Sequence, residues 1–103
     1  MAQLKFKVED QWIHRTDNFK PVAKSVNYLH AEFEFLTEEW TQHTATAIFR
    51  NTTNAYEVVL SSDNTCVVPH EVLDCDESEF FVSLFAGDLI TANKSRASLS
   101  EPS

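Results

Sequence analysis

Cys66, His70 and Glu71 bring a thiol, an imidazole and a carboxylate into one short stretch of this sequence. In a cysteine hydrolase those three types serve as nucleophile, general base and orienting group. An extended chain from residue 66 to residue 70 covers roughly 10 Å or more, whereas direct proton transfer needs about 3 Å. Cys66 is therefore expected to be a small buried hydrophobe, Pro69 to shape a sheet edge, and His70 to face solvent or a partner. Neither Gly-x-Ser-x-Gly nor His-Glu-x-x-His occurs, so His14, His30 and His43 belong to no recognisable catalytic motif.

Paired carboxylates are the next chemistry to weigh. Glu32 and Glu34 share one face of an extended segment, roughly 6.6 Å apart by strand rise, a separation compatible with glycoside hydrolysis. The same spacing is what a solvated strand face produces, and that is the expected role. The acidic run from Asp74 to Glu79 offers oxygen ligands for calcium but lacks the central glycine of an ordered loop. Cys66 and Cys75 form no Cys-x-x-Cys pattern; His70 between them is a third ligand type, with no convincing fourth nearby. Free thiols are the expectation, because a disulfide needs neighbouring strands and an oxidising compartment. No catalytic, cofactor-binding or metal-ligating residue is assigned.

Binding chemistry has better candidates. Sugar rings stack on aromatic faces beside polar groups, so Trp12, Tyr28 and Trp40 are candidate contacts for a saccharide or a partner, with the core or an inter-subunit contact as their other role. Ile48 and His70 complete the set of candidate contact residues.

The composition limits what those residues can meet. The chain has 103 residues, with 43% hydrophobic and 23% charged side chains and a formal net charge of −8. That is enough for a single core and too little for two. With 16 acidic against 8 basic residues and no basic patch, binding to nucleic acid or to anionic membrane is disfavoured. The one glycine, Gly87, excludes a Gly-rich phosphate loop. No apolar run approaches the roughly 20 residues that membrane insertion requires, and the first residues do not read as a signal peptide.

Short strands must position these residues. Leu4, Phe6 and Val8 alternate with polar neighbours as a first strand, to which Trp12 and Ile13 add apolar content. Residues 26–36 form the clearest strand, with Leu29, Ala31, Phe33 and Phe35 on one face. A bend at 38–41 leads to a strand over 44–50 with Ala45, Ala47 and Phe49 inward and Ile48 against the alternation. Residues 56–60, 65–68, 80–85 and 89–93 follow, joined by Asn-, Asp- and Ser-rich turns, and a weak last strand lies beyond Ser95. Phe33 and Phe81 are expected core residues. The whole reads as one domain over 1–103, an all-β, compact antiparallel sandwich of seven or eight strands, immunoglobulin-like or jelly-roll-like, with 96–103 as a fraying tail.

Read together, Arg15–Val22, Asn27–Phe33, Trp40 with Thr46–Phe49, Cys66–Leu73 and Val82–Lys94 resemble the small β-sandwich domain of tailed-bacteriophage baseplate and tail-tip proteins, of the amino-terminal upper-baseplate type. The pieces span nearly the whole chain, and their order and spacing carry the likeness. The resemblance implies a non-catalytic virion component, made in the host cytoplasm, that acts by protein–protein assembly with other tail or baseplate proteins and as a homo-oligomer. It equally accommodates a carbohydrate-binding module holding a bacterial cell-surface polysaccharide. The chain is expected to lack a long fibre or separate receptor-binding head. His70 departs from the pattern where a large aromatic is expected, and Ser95–Arg96–Ala97 replaces a more β-branched final strand.

Overall fold

The alternation of apolar and polar residues is realised as two facing sheets. The computed structural model describes residues 3–17, 21, 29–73 and 79–99. Among these are nine strands: β1 (Gln3–Glu9), β2 (Trp12–Arg15), β3 (His30–Phe35), β4 (Thr46–Arg50), β5 (Ala55–Val59), β6 (Thr65–Val67), β7 (Glu79–Ala86), β8 (Leu89–Ile90) and β9 (Ser95–Ser98). Sheet 1 has the order β2-β1-β3-β6, and sheet 2 the order β5-β4-β7-β8, with β9 also paired to β7. The β-sandwich expected from the sequence is thus the observed architecture.

The core lies between the sheets. Leu4, Phe6 and Val8 of β1, Ala31 and Phe33 of β3, Ala47 and Phe49 of β4, and Phe80, Val82 and Leu84 of β7 are all at most 2% exposed. Phe6 stacks on Phe33 with ring centroids 5.0 Å apart, and Phe49 packs at a tilt on Phe80 at 6.3 Å. Such pairs add about 0.5–1.5 kcal/mol to the burial of their area.

Several elements differ from the sequence reading. Trp12 and Ile13 do not extend the first strand; they form β2, which folds back antiparallel on β1 through Asp10 and Gln11. Asp10 takes a positive φ of 53°, a conformation Asp tolerates. Its N–H donates to Thr37 Oγ1 at 2.7 Å, and its carbonyl accepts from Trp40 Nε1 at 2.5 Å. Sheet 1 is mixed, not wholly antiparallel, because β1 and β3 pair in parallel over six residues, with Phe6 beside Phe33. The bend after β3 is a 3₁₀ turn, Glu38–Gln42. Phe81 is not in the core: it and Phe80 point to opposite faces of β7, and only Phe80 is buried. Residues 96–99 do not fray, since β9 pairs with Glu79–Val82 and both Ala97 and Leu99 are buried. Residues 26–28, 74–78 and 100–103, on which other expectations fall, lie outside the described residues.

The sheets are tied at one end by an asparagine. Asn93, between β8 and β9, accepts from Ile13 N–H at 2.9 Å and donates to Ile13 C=O at 2.8 Å, while Ala92 N–H donates to Gln11 C=O at 2.6 Å. The side chain of Asn93 thereby stands where the next strand of sheet 1 would pair.

Candidate functional site

The Cys66–His70–Glu71 set does not assemble into a catalytic group. Cys66 is buried on β6, and burial pushes its thiol up from 9.0 to about 12, the opposite of nucleophile activation. His70 begins the 3₁₀ turn His70–Val72 after Pro69, with its side chain 71% exposed and its Nδ1 3.4 Å from Glu71 Oε1. Glu32 and Glu34 line the outer face of β3, where Glu34 lies 3.6 Å from Lys7 Nζ on β1. Among the described residues no three His, Cys, Asp or Glu side chains gather as a metal-sized cluster. Cys75 and most of the Asp74–Glu79 run lie outside those residues.

The five candidate contact residues are scattered. Of the two roles read for Trp40, the core is the one observed and the contact role is withdrawn: it is 1% exposed and stacks on Phe35 at 5.6 Å. Trp12 is 60% exposed on β2. His70 is exposed at a different loop, and Tyr28 lies outside the described residues. Ile48 alone sits within a larger surface, the outer face of sheet 2.

That face follows from the register of four strand pairings. Inward positions of β4 and β7 bury Ala47, Phe49, Val82 and Leu84, so their neighbours must point out. Cross-strand pairing sets Val59, Thr46, Phe85 and Ile90 in one row across β5, β4, β7 and β8. Glu57, Ile48 and Ser83 make the second row, and Ala55, Arg50, Phe81 and Arg96 the third, ending on β9. Val59 is 63% and Ile90 55% exposed, while Ile48, Phe81 and Phe85 are half-buried. Lys94 Nζ stands 4.6 Å from the centroid of the Phe81 ring.

The outer face of sheet 1 is the contrast. There β1 and β3 present Lys5, Lys7, Glu9, Glu32 and Glu34, the alternation of a strand with one solvated face. The outer face of sheet 2 instead sets Val59, Ile48, Phe85, Ile90 and Phe81 among Thr46, Ser83, Glu57, Arg50 and Arg96. The sequence carried a signal for this that alternation alone does not weigh. Phe80-Phe-Val-Ser-Leu-Phe85 is apolar at both odd and even positions, the composition of a strand covered on both sides.

A cleft of about 510 Å³ opens beside this face, between the 3₁₀ turn Glu38–Gln42 and the β5–β6 turn. Gln42, His43, Thr44, Ser61, Ser62 and Asn64 give it hydroxyl, amide and imidazole groups, with no carboxylate, thiol, Lys or Arg in its lining. Asp63, in the same turn, accepts from Ser61 Oγ and, at 2.8 Å, from Thr65 Oγ1; these bonds hold its carboxyl below the usual range. That carboxylate serves the turn.

Searches of known protein families, curated proteins and solved structures found no match to this chain.

Proposed function

We propose that the chain is a non-catalytic assembly module, a structural component of a bacteriophage tail or baseplate, that docks other proteins through the outer face of sheet 2. One observation carries the docking surface: Val59, Ile48, Phe85, Ile90 and Phe81 lie on the outer face across four strands of a sheet whose other face is already the core. Patches of this kind on small soluble domains mark interaction sites, because water-facing apolar area is stabilised by a cover. The viral setting comes from the sequence resemblance, and rigid docking suits a preformed sheet. The test is carbene footprinting, on the free chain and on purified particles of the phage that encodes it. Detection of the chain in the particles, with Val59, Phe85 and Ile90 protected there, is the expected result. Its absence from the particles removes the virion assignment, and an unprotected face removes this surface.

A carbohydrate-binding role is the second reading, favoured by the 60% exposure of the Trp12 indole on sheet 1. A saturable Trp fluorescence change on titration with bacterial cell-surface polysaccharide, lost in Trp12→Ala, would support it. The buried Trp40 supplies a constant background. A flat titration would exclude it.

A further inference from the structure

Three cations gather on the outer face of sheet 2, although they come from separate segments of an acidic chain. The register sets Arg50 of β4 and Arg96 of β9 on either side of Phe81 in β7, and Lys94 Nζ stands 4.6 Å from the centroid of that ring. Side chains paired across antiparallel strands start about 5 Å apart, so both guanidinium groups and the ammonium reach the space above one aromatic ring. Among the described residues neither Arg50 nor Lys94 has an ion-pair partner, and Arg96 has only an exposed contact of 3.9 Å to Glu79. We infer that this face takes an extended acidic segment of another protein, which sets a carboxylate among Arg50, Lys94 and Arg96 and apolar side chains along Ile48, Phe85, Val59 and Ile90. The inference rests on the assembly reading and names the chemistry of its partner.

Charge selects the occupant. The outward carboxylates on the described strands of sheet 2 are Glu57 and Glu79, so the face is locally positive on a molecule of formal charge −8. A second copy meeting this face with its own sets cations against cations. Glu9, Glu32 and Glu34 lie beyond the core, on the outer face of sheet 1. The sheets alone stand about 10 Å apart, more than the roughly 8 Å screening length at about 0.15 M salt, so those charges are weakly felt here. An arriving carboxylate answers to the cations beside it.

Spacing gives the segment its pattern. Alternate strand residues are roughly 6.6 Å apart, so the Arg50–Phe81–Arg96 row lies about 13 Å from the row of Val59, Thr46, Phe85 and Ile90, with Ile48 and Ser83 between. An extended segment aligned with the strands repeats its side chains at the same interval. An acidic residue, followed two and four positions later by apolar ones, therefore meets the three rows in turn. Four strand positions at about 4.8 Å and three rows at about 6.6 Å cover roughly 350 Å², too little for the ~800 Å² per partner of a standard interface and enough for a short segment. Binding is accordingly weak and sensitive to salt.

The test is two-dimensional amide NMR of the chain, titrated with the capped peptide Asp-Glu-Ser-Leu-Ser-Leu and with the same peptide carrying Lys at both acidic positions. The acidic peptide is expected to shift the amides of Ile48, Arg50, Phe81, Ser83 and Phe85, with a Kd of about 1 mM at about 0.02 M NaCl that weakens at least threefold at about 0.15 M. The double variant Arg50→Glu with Lys94→Glu, at two exposed positions that leave the fold intact, is expected to lose binding at least tenfold, and Arg50→Lys to keep it within twofold. Equal shifts from the Lys peptide, no shift at about 5 mM, or unchanged binding by the double variant overturns the acidic segment. Shifts of the same amides on concentrating the chain alone make a second copy the occupant and overturn it too. Protection of Val59, Phe85 and Ile90 in particles is read separately: with it the assembly reading survives any of these failures, and without it both readings fall.

Discussion

Phe80 and Phe81 are neighbours in sequence and opposites in structure. Phe80 is fully buried against Phe49, whereas Phe81 lies half-buried on the outer face under Lys94. Phe80→Ala is expected to cost about 3–5 kcal/mol, the loss for a buried aromatic, and Phe81→Ala only about 1 kcal/mol. Urea unfolding midpoints measure both, and the reverse ranking would mean that the faces of β7 are exchanged. Cys66 gives a second residue-level test. With its thiol pushed up to about 12, it is expected to alkylate about a thousandfold more slowly at neutral pH than an exposed thiol of ordinary pKa, and to react promptly once denaturant unfolds the chain. Peptide mapping separates it from Cys75. Because the folded thiol holds its proton more tightly than the unfolded one, this group takes stability away as pH rises from about 9 to about 12, and has no such effect below that window. Rapid labelling of Cys66 in the native protein would show that β6 is not packed as described.

Strand β2 depends on an element outside its own sheet. Asn93 occupies both backbone groups of Ile13 on the open side of β2, which blocks that edge against another strand. Asn93→Ala is expected to cost about 1–2 kcal/mol and to raise hydrogen exchange at the Ile13 amide roughly tenfold, with Ala47 and Phe49 in β4 unaffected. Equal exchange at Ile13 in both proteins would deny the cap. How much of this was legible in the sequence depends on how local each cause is. The buried faces of β1, β3 and β4 follow from period-two alternation, because burial on one side needs only the residue and its neighbours two positions away. The parallel pairing of β1 with β3 does not follow, since alternation says nothing of which strand lies alongside or in which direction. The β1–β2 turn was equally hidden: Asp10 is held there by Thr37 and Trp40, which come from beyond β3. The sequence left Trp40 between core and contact, because its stacking partner Phe35 and its acceptor Asp10 are brought to it only by the fold. The apolar residues on the outer face of sheet 2 were half legible, in the two-sided composition of β7, while Val59 and Ile90 join them only through register.

The whole molecule combines a −8 charge with dimensions of 42 × 28 × 19 Å, and the second figure decides how the first is felt. At about 0.01 M salt the screening length is roughly 30 Å, comparable to the molecule, so nearly every carboxylate repels nearly every other in the folded state. At about 0.15 M it falls to roughly 8 Å, and only near neighbours interact. The unfolded chain, being larger, suffers less of this repulsion at either salt. The ion pairs seen here are mostly exposed, such as Lys7–Glu34 and Arg96–Glu79, and contribute little that salt would remove. Arg15–Asp17 is the more sheltered exception, at 2.5 Å with Asp17 also accepting from Lys5 N–H at 2.7 Å, and it is screened less. Repulsion therefore outweighs attraction in the salt response. Raising NaCl from about 0.01 to 0.15 M is expected to stabilise the fold by about 1 kcal/mol, read as a rise of roughly 4–8 °C in thermal midpoint for a domain of this size. A midpoint that falls with salt would mean that paired charges, and not the excess of carboxylates, dominate the electrostatics of this sandwich.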